Sequence, residues 1–188
     1  MVIRVGILFF YWLSSSVWAA TVLKSTFSHD VETDQYSLFA EIKIAAPKHL
    51  VLATLTDYKN LSKVSPLITE STVLKQHSPQ HHQIRLVSSQ CILFFCADII
   101  RTQDIRIINE HRIEATIIPE QSNFKQASSV WTLTTKNKAT VIQYETHSVP
   151  DFWIPPVIGP WFLESAMQDS IIEMAEGIER IAIQKEQP

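Results

Sequence analysis

Alternation of apolar and polar residues dominates the middle of the chain and restricts what it can fold into. After Pro66 the apolar residues recur with a period of two through six segments, which predicts six β-strands. These strands are expected at about 68–75, 83–89, 97–108, 112–118, 126–135 and 140–149. Because the connections between them are short, neighbouring strands are expected to run antiparallel.

The segments on either side complete the predicted order of elements. Residues 35–45 alternate in the same way and predict one further strand, and Pro47 suits the first turn of a helix. A second short helical turn is expected before Pro66, and an apolar stripe from Trp161 onward predicts one long helix. The sequence therefore predicts an α+β fold: a curved seven-stranded antiparallel sheet around a long C-terminal helix, with two short helices after strand 1. A sheet of that size leaves room for a ligand beside the helix.

The first 19 residues have the order of a secretory signal peptide. A basic start at Arg4 precedes an apolar run, and Val17 and Ala19 occupy the positions typical of a cleavage site. The alternative is a retained membrane anchor, but the run is shorter than the roughly 20 residues that a spanning helix needs. We expect residues 1–19 to be removed on export, to the periplasm of a Gram-negative bacterium or otherwise to the medium. Residues 20–188 are expected to form a single domain.

The charge of the chain argues against nucleic acid as a partner. It holds 16 basic and 19 acidic residues, a net charge of −3, and no basic stretch follows the predicted signal peptide. A strongly anionic membrane surface is disfavoured on the same grounds. We expect a monomer.

Both cysteines, Cys91 and Cys96, lie in the part expected to be exported, where a disulfide is the usual state. In one extended strand a spacing of five points two side chains to opposite faces. A bridge therefore requires a turn or bulge within 92–95. The alternative is a pair of free buried thiols.

No catalytic motif is recognisable. After residue 19 only Gly159 and Gly177 remain, which excludes a phosphate-cradling loop and a dinucleotide fingerprint, and no serine has the glycines of a nucleophile elbow. The strand carboxylates have arginines nearby in sequence and are expected to form surface or rim ion pairs; the carboxylates are Asp98, Asp104, Glu114 and Glu145, and the arginines are Arg101, Arg106 and Arg112. We expect no catalytic residue and no cofactor.

The histidines invite a metal-site interpretation. The densest group surrounds the predicted turn at Pro79 and consists of His77, His81 and His82. Because no cysteine accompanies them, a solvated turn is the better interpretation, and no metal ligand is predicted. His147, on the last strand, is expected to be a hydrogen-bonded histidine of the core or rim.

Large apolar side chains occupy two predicted connections, 92–95 and 152–162, where polar residues are usual. Such loops mark a binding mouth or an interaction patch, and the alternative is that they pack on each other as core. We predict that four aromatic residues form a gate for an apolar ligand: Phe94, Phe95, Phe152 and Trp153. The same loops offer a surface for transient membrane contact.

Four further residues are predicted to line the cavity: Trp131 and Tyr144 on the sheet, with Ile171 and Ile178 opposite on the long helix. The inward face of the Trp131 strand remains open at this point. Trp131 with Leu133 is one possible inward set, and Val130 with Thr132 is the other.

Several short motifs, taken in order, resemble a known superfamily. They are Ile44-Ala45-Ala46-Pro47, Leu55-Thr56-Asp57-Tyr58 and the pattern I-x-x-S-x-V-L at Ile68, Ser71, Val73 and Leu74, followed by a tryptophan-containing strand and a terminal helix. Over residues 30–183 the chain is similar to the START-like (SRPBCC, helix-grip) superfamily of polyketide cyclases, coenzyme Q-binding proteins and lipid-transfer domains. The resemblance implies a helix-grip fold with a cavity between sheet and helix. It does not fix a function, because this fold serves several.

Three functions remain open. The favoured one is a non-enzymatic module that binds or carries a hydrophobic small molecule, namely a lipid, isoprenoid or quinone. The second is a cyclase- or hydrolase-like enzyme, which would gain support if four polar residues converged in the cavity: Arg85, Glu114, Tyr144 and His147. The third is an interaction module that docks through the aromatic loops.

Overall fold

Eight strands and two α-helices make up the part of the chain that the computed structural model describes, residues 20–92, 95–154 and 160–186. The strands are β1 (Thr21–Asp30), β2 (Gln35–Ile44), β3 (Ile68–Ser78), β4 (His81–Ile92), β5 (Phe95–Asn109), β6 (Arg112–Ile117), β7 (Phe124–Lys136) and β8 (Ala139–Pro150). The helices are α1 (Lys48–Leu55) and α2 (Pro160–Glu186), and single 3-10 turns lie at Leu61–Lys63 and Pro119–Gln121. The predicted signal peptide, residues 1–19, lies outside the described residues.

All eight strands join one antiparallel sheet in the order β1-β2-β8-β7-β6-β5-β4-β3. From β3 to β8 each strand pairs with the next one in sequence, as the short connections predict. The first hairpin joins this meander only through the pairing of β2 with β8. The predicted α+β class, antiparallel sheet and C-terminal helix are therefore confirmed.

The sheet has eight strands rather than the predicted seven, because β1 does not show a simple alternation. Its two core-contacting residues, Val22 and Phe27, are five positions apart, and an odd spacing in a regular strand places side chains on opposite faces. A register shift between Val22 and Lys24 brings both to the same face and leaves Leu23 48% exposed. The bulge therefore hides the strand from pattern analysis.

The prediction of two short helices after the first strand is also wrong in part. Only α1 is an α-helix, and the second segment is the single 3-10 turn Leu61–Lys63. Backbone bonds of 2.9 Å from Lys63 N–H to Asn60 C=O and from Val64 N–H to Leu61 C=O close this turn. Pro66 disfavours helical backbone in the residue before it, which prevents the turn from growing.

The main core lies between α2 and the inner face of the first strands. One stripe of α2 contributes Ile171, Ala175, Ile178 and Ala182, and β2 contributes Leu38, Ala40 and Ile42. Apolar residues three or four positions apart lie on one face of the helix, and those two positions apart lie on one face of the strand, so the two apolar faces pack against each other.

Three polar contacts and one glycine fix the second half of α2. The carboxylate of Glu179, 4% exposed, accepts a hydrogen bond of 2.6 Å from the backbone N–H of Ala45. Arg180 donates to the carbonyl of Lys63 at 2.9 Å, and Lys185 donates to the carbonyl of Ala53 at 3.1 Å. Gly177, which precedes these three residues in the helix, lies directly against the backbone of Val64. None of the described helices combines the length and apolar character that a membrane span requires.

Candidate ligand-binding cavity

A cavity of about 350 Å³ lies between the inner face of the sheet and α2. This volume falls at the small end of the range for small-molecule sites, roughly 300–1,000 Å³. Its helical wall is formed mainly by apolar side chains, Met167, Ile171, Met174 and Ile178, and the 3-10 turn region adds Leu61 and Val64. The sheet side is more mixed, with Leu38, Ile84, Ile105 and Ile113 among polar neighbours.

The residues predicted to line the cavity all lie on its wall. Trp131 and Tyr144 are directly opposite each other on β7 and β8, with ring centroids 5.0 Å apart. Ile171 and Ile178 line the cavity from α2. Of the two inward sets left open for β7, the structure has Trp131 on the same face as the fully buried Leu133. That these residues bind a ligand stays a prediction.

The structure describes the side chains of two of the four residues predicted to form a gate, Phe152 and Trp153. Phe152 lines the cavity and meets Phe124 edge to face, with ring centroids 5.9 Å apart. Trp153 is 69% exposed, while Phe152 and Ile154 on either side of it line the cavity. Phe95 begins β5, and Phe94 lies outside the described residues. The gate as a whole stays a prediction.

The two cysteines form a disulfide between neighbouring strands. Cys91 and Cys96 are directly opposite in the β4–β5 pair, with Cα atoms 4.0 Å apart. The strands extend further than predicted, since β4 continues to Ile92 and β5 begins at Phe95. Opposite residues of an antiparallel pair point to the same face, so the odd spacing is compatible with a bridge.

Pattern analysis missed two long polar side chains in the cavity, Arg101 and Gln103. Both lie on the inward face of β5 between Ile99 and Ile105. Arg101 was expected to take part in surface ion pairs, and this is wrong. Its guanidinium lies 4.9 Å from the ring centroid of Phe124 and pairs with no carboxylate in the described ranges. The alternation of β5 could have indicated this, because positions 101 and 103 lie on the same face of the strand as Ile99 and Ile105.

The expected arginine pairs are also wrong for three of the four strand carboxylates: among the described residues Asp104 lies 3.2 Å from His81, Glu145 lies 3.3 Å from His147, and Asp98 accepts a hydrogen bond from Ser89 Oγ. Glu114 alone among them has the expected partner. Arg112 forms an ion pair of 2.6 Å with Glu114, and Arg85 lies 3.6 Å from Glu70. His147 meets Ser37 Oγ at 2.8 Å through Nδ1. Among the four residues whose convergence would indicate an enzyme, Tyr144 alone lines the cavity; the other three are Arg85, Glu114 and His147.

Two buried polar groups of cavity-lining residues lack hydrogen-bond partners among the described residues: Tyr58 Oη and Trp131 Nε1. Burial raises the pKa of Tyr58 to about 12, since the phenolate is disfavoured away from water. Nδ1 of His82 is likewise buried without a partner, and its ring stands 5.0 Å from the Tyr58 ring. Burial, helped by the neighbouring charge of His81, lowers the pKa of His82. This region therefore favours neutral groups.

The β3–β4 hairpin and the neighbouring strand β5 bring together a group of possible metal ligands. Ligand atoms of His77, His81 and Asp104 lie within 4.8 Å of one another, and His81 Nε2 is 3.2 Å from Asp104 Oδ1. The rings of His77 and His81 stack with centroids 4.4 Å apart. His82, which the sequence placed with them, contacts Tyr58 instead. Hydrogen bonding and stacking account for this partly exposed group without an ion.

No protein-family model matches the chain, and no curated protein matches it in sequence. Solved structures do match. The Zhui aromatase/cyclase from Streptomyces sp. R1128 superposes with a TM-score of 0.64 at 13% identity, covering 81% of this chain and 96% of its own. A START superfamily protein from Mycobacterium smegmatis gives 0.62 at 15% identity, with coverages of 79% and 97%.

Human STARD10 covers 87% of this chain and 76% of its own, with a TM-score of 0.64 at 11% identity. At such identities the likeness concerns the fold. The chain has the START-like, helix-grip fold that its sequence motifs resemble, and proteins with that fold include both START proteins and aromatase/cyclases.

Proposed function

We propose that this protein binds and carries a hydrophobic small molecule, such as a lipid, an isoprenoid or a quinone, in the cavity between the sheet and α2. The observation that carries the proposal is the cavity itself, about 350 Å³ with a largely apolar helical wall. Filling such a space with apolar groups of a ligand removes both surfaces from water, which favours binding by roughly 25 cal/mol per Å² of apolar area.

Binding without catalysis is the simpler interpretation of the site. The four residues whose meeting would have suggested acid–base chemistry are separated, and three of them have partners outside the cavity wall. Exposed Trp153 beside the cavity-lining Phe152 and Ile154 offers a point of transient membrane contact during ligand exchange. The protein is expected to act as a monomer.

A pair of variants two positions apart on α2 tests the proposal. Met174 lines the cavity, whereas Ile172 is 45% exposed. Met174→Trp should fill the cavity and weaken binding of a neutral apolar fluorescent probe by about tenfold or more, which corresponds to ~1.4 kcal/mol. Ile172→Trp adds the same side chain outside the cavity and should leave binding unchanged. Equal binding by both variants and the wild type would place the probe elsewhere.

Native mass spectrometry of the protein purified from its own host, followed by extraction, would identify the bound molecule. An enzyme using the same cavity is the second candidate, favoured by the aromatase/cyclase among the similar folds and by the polar side chains of Arg101 and Gln103. Prolonged incubation separates the two, because a carried ligand is recovered chemically unchanged and a substrate is not.

The proposal includes export of the protein. Residues 1–19 have the composition of a signal peptide, and a disulfide at Cys91 and Cys96 is compatible with an oxidising compartment. Amino-terminal sequencing of the protein from its host should begin at Ala20. A mature chain that still begins at Met1 would contradict this part of the proposal.

A further inference from the structure

Resting on the proposed function, we propose that the ligand is a single-chain amphiphile with a carboxylate head, which Arg101 binds and Gln103 helps to orient. Its apolar body would then extend along α2. The inference begins from the two polar side chains that interrupt the inner face of β5.

Arg101 carries a positive charge into the cavity wall without a counter-charge. Its guanidinium stays protonated at all ordinary pH values. The guanidinium lies 4.9 Å from the centroid of the Phe124 ring, and no carboxylate among the described residues forms an ion pair with it. By contrast Arg112, on the outer face of the neighbouring strand, is paired with Glu114 at 2.6 Å. A charge at an apolar wall is unfavourable unless it is paired, so Arg101 is suited to an anionic partner that enters the cavity.

Gln103 adds a hydrogen-bonding group on the same face. It is two positions from Arg101, roughly 7 Å along the strand, and is 8% exposed. Its side-chain amide makes no hydrogen bond within the described part of the chain, and its polar atoms are not fully buried. An amide that lines a cavity and has no protein partner offers one donor and one acceptor group to a ligand.

The neighbours of these two residues indicate the direction of the ligand. Across the β4–β5 pair Arg101 is opposite Leu86 and Gln103 is opposite Ile84. Phe124 lies beside Arg101 and Phe152 beside Phe124, whereas Ile105 lies four positions further along β5 and Ile178 lines the cavity from α2. A head group at Arg101 therefore leaves the apolar body facing the isoleucines and methionines of the inner wall. The small volume favours one chain over two.

Affinity measurements with matched amphiphiles test the inference. Dodecanoate, dodecanol and dodecyl phosphate share one chain and differ in the head group, and each can be titrated by displacement of the neutral probe. The wild type should bind dodecanoate at least about tenfold more tightly than dodecanol. Arg101→Gln should weaken dodecanoate binding by about 10- to 100-fold and leave dodecanol unchanged, since hydrogen bonds to charged groups are the stronger ones.

Two further variants keep the result interpretable. Arg101→Lys retains the charge and should retain part of the preference for dodecanoate, which a merely structural role of the side chain would not explain. Arg112→Gln removes an arginine on the outer face and should change no affinity. If the wild type and Arg101→Gln bind dodecanoate and dodecanol equally well, the carboxylate inference is overturned while the proposed function stands.

The wild type could instead bind dodecyl phosphate more tightly than dodecanoate and lose this preference in Arg101→Gln. The head group would then be a phosphate, and the carboxylate inference would be overturned. Failure of the neutral probe and all three amphiphiles to bind would instead contradict the proposed function.

Discussion

Replacing Gly177 by alanine should destabilise the protein strongly, although alanine is the better helix former. A Cβ atom at this position would lie 1.7 Å from the carbonyl oxygen of Val64 and 2.7 Å from its carbonyl carbon. Both are backbone atoms and cannot turn aside as a flexible side chain would. The helix and the 3-10 turn region must therefore separate by about 1.3 Å before the contact reaches a tolerable 3.0 Å.

The magnitude follows from what this separation breaks. Forced repacking of a tight interior costs ~1–3 kcal/mol, and stretching the 2.6 Å bond from Ala45 to the buried Glu179 endangers an interaction of ~1.5–3 kcal/mol. Higher helix propensity of alanine returns ~1 kcal/mol. We expect Gly177→Ala to lower the free energy of unfolding by about 2–4 kcal/mol.

Urea unfolding followed by circular dichroism measures this loss. Glu176→Ala, on the exposed neighbouring position, is the matched control and should stay within ~0.5 kcal/mol of the wild type. A Gly177→Ala variant as stable as the wild type, or more stable, would refute the argument, because helix propensity would then outweigh a close backbone contact.

Three other predictions concern buried polar groups and the disulfide. Tyr58→Phe removes a hydroxyl without a protein partner, so the free energy of unfolding measured in urea should stay unchanged or rise by up to ~1 kcal/mol. A fall in the free energy of unfolding would mean that the hydroxyl is hydrogen-bonded. Because burial holds the pKa of His82 below 6.5, the unfolded chain binds its proton more readily, and the free energy of unfolding should fall as pH drops through 6.5. His82→Gln should flatten that fall and the exposed-site control His77→Gln should not; identical pH slopes in the wild type and His82→Gln would contradict this. Cys91→Ser should lower the free energy of unfolding in urea by about 2 kcal/mol, since the bridge closes a short loop. Alkylation of the native wild-type protein without reductant should leave its intact mass unchanged.

How far the sequence predicted this fold depended on the regularity of each element. The strands from β3 to β8 alternate, so their existence was predicted and only their ends differ. Five of the six are longer than predicted, as at β5, which runs from Phe95 to Asn109, whereas β6 ends one residue earlier, at Ile117. Backbone pairing continues past the last apolar residue, and a side-chain pattern cannot show this. β1 was missed because its bulge at Val22 and Lys24 breaks the period.

The candidate site divides in a similar way. Trp131 and Ile178 were placed on the cavity wall because large apolar residues at the right period face inward. Arg101 was assigned to the surface because charged residues usually lie there, a rule that fails where a wall offers room for a ligand. For Trp153, which lies in an irregular segment, no period indicates which side faces the cavity, and its part in a gate stays a prediction.

The pairing of β2 with β8 has a consequence for how the chain reaches this structure. Ile42 is opposite Ile142, one hundred positions later, while the strands between them form hairpins with their immediate neighbours. Hairpins close rapidly, but a pair separated by so much chain must overcome a large entropy of loop closure. The meander from β3 to β8 can thus form early, and the first hairpin can join the sheet only after β8 is in place. During synthesis on the ribosome the apolar face of β2 remains uncovered until α2, at the end of the described chain, has emerged, so this face is exposed to solvent for longer than the hairpins of the meander.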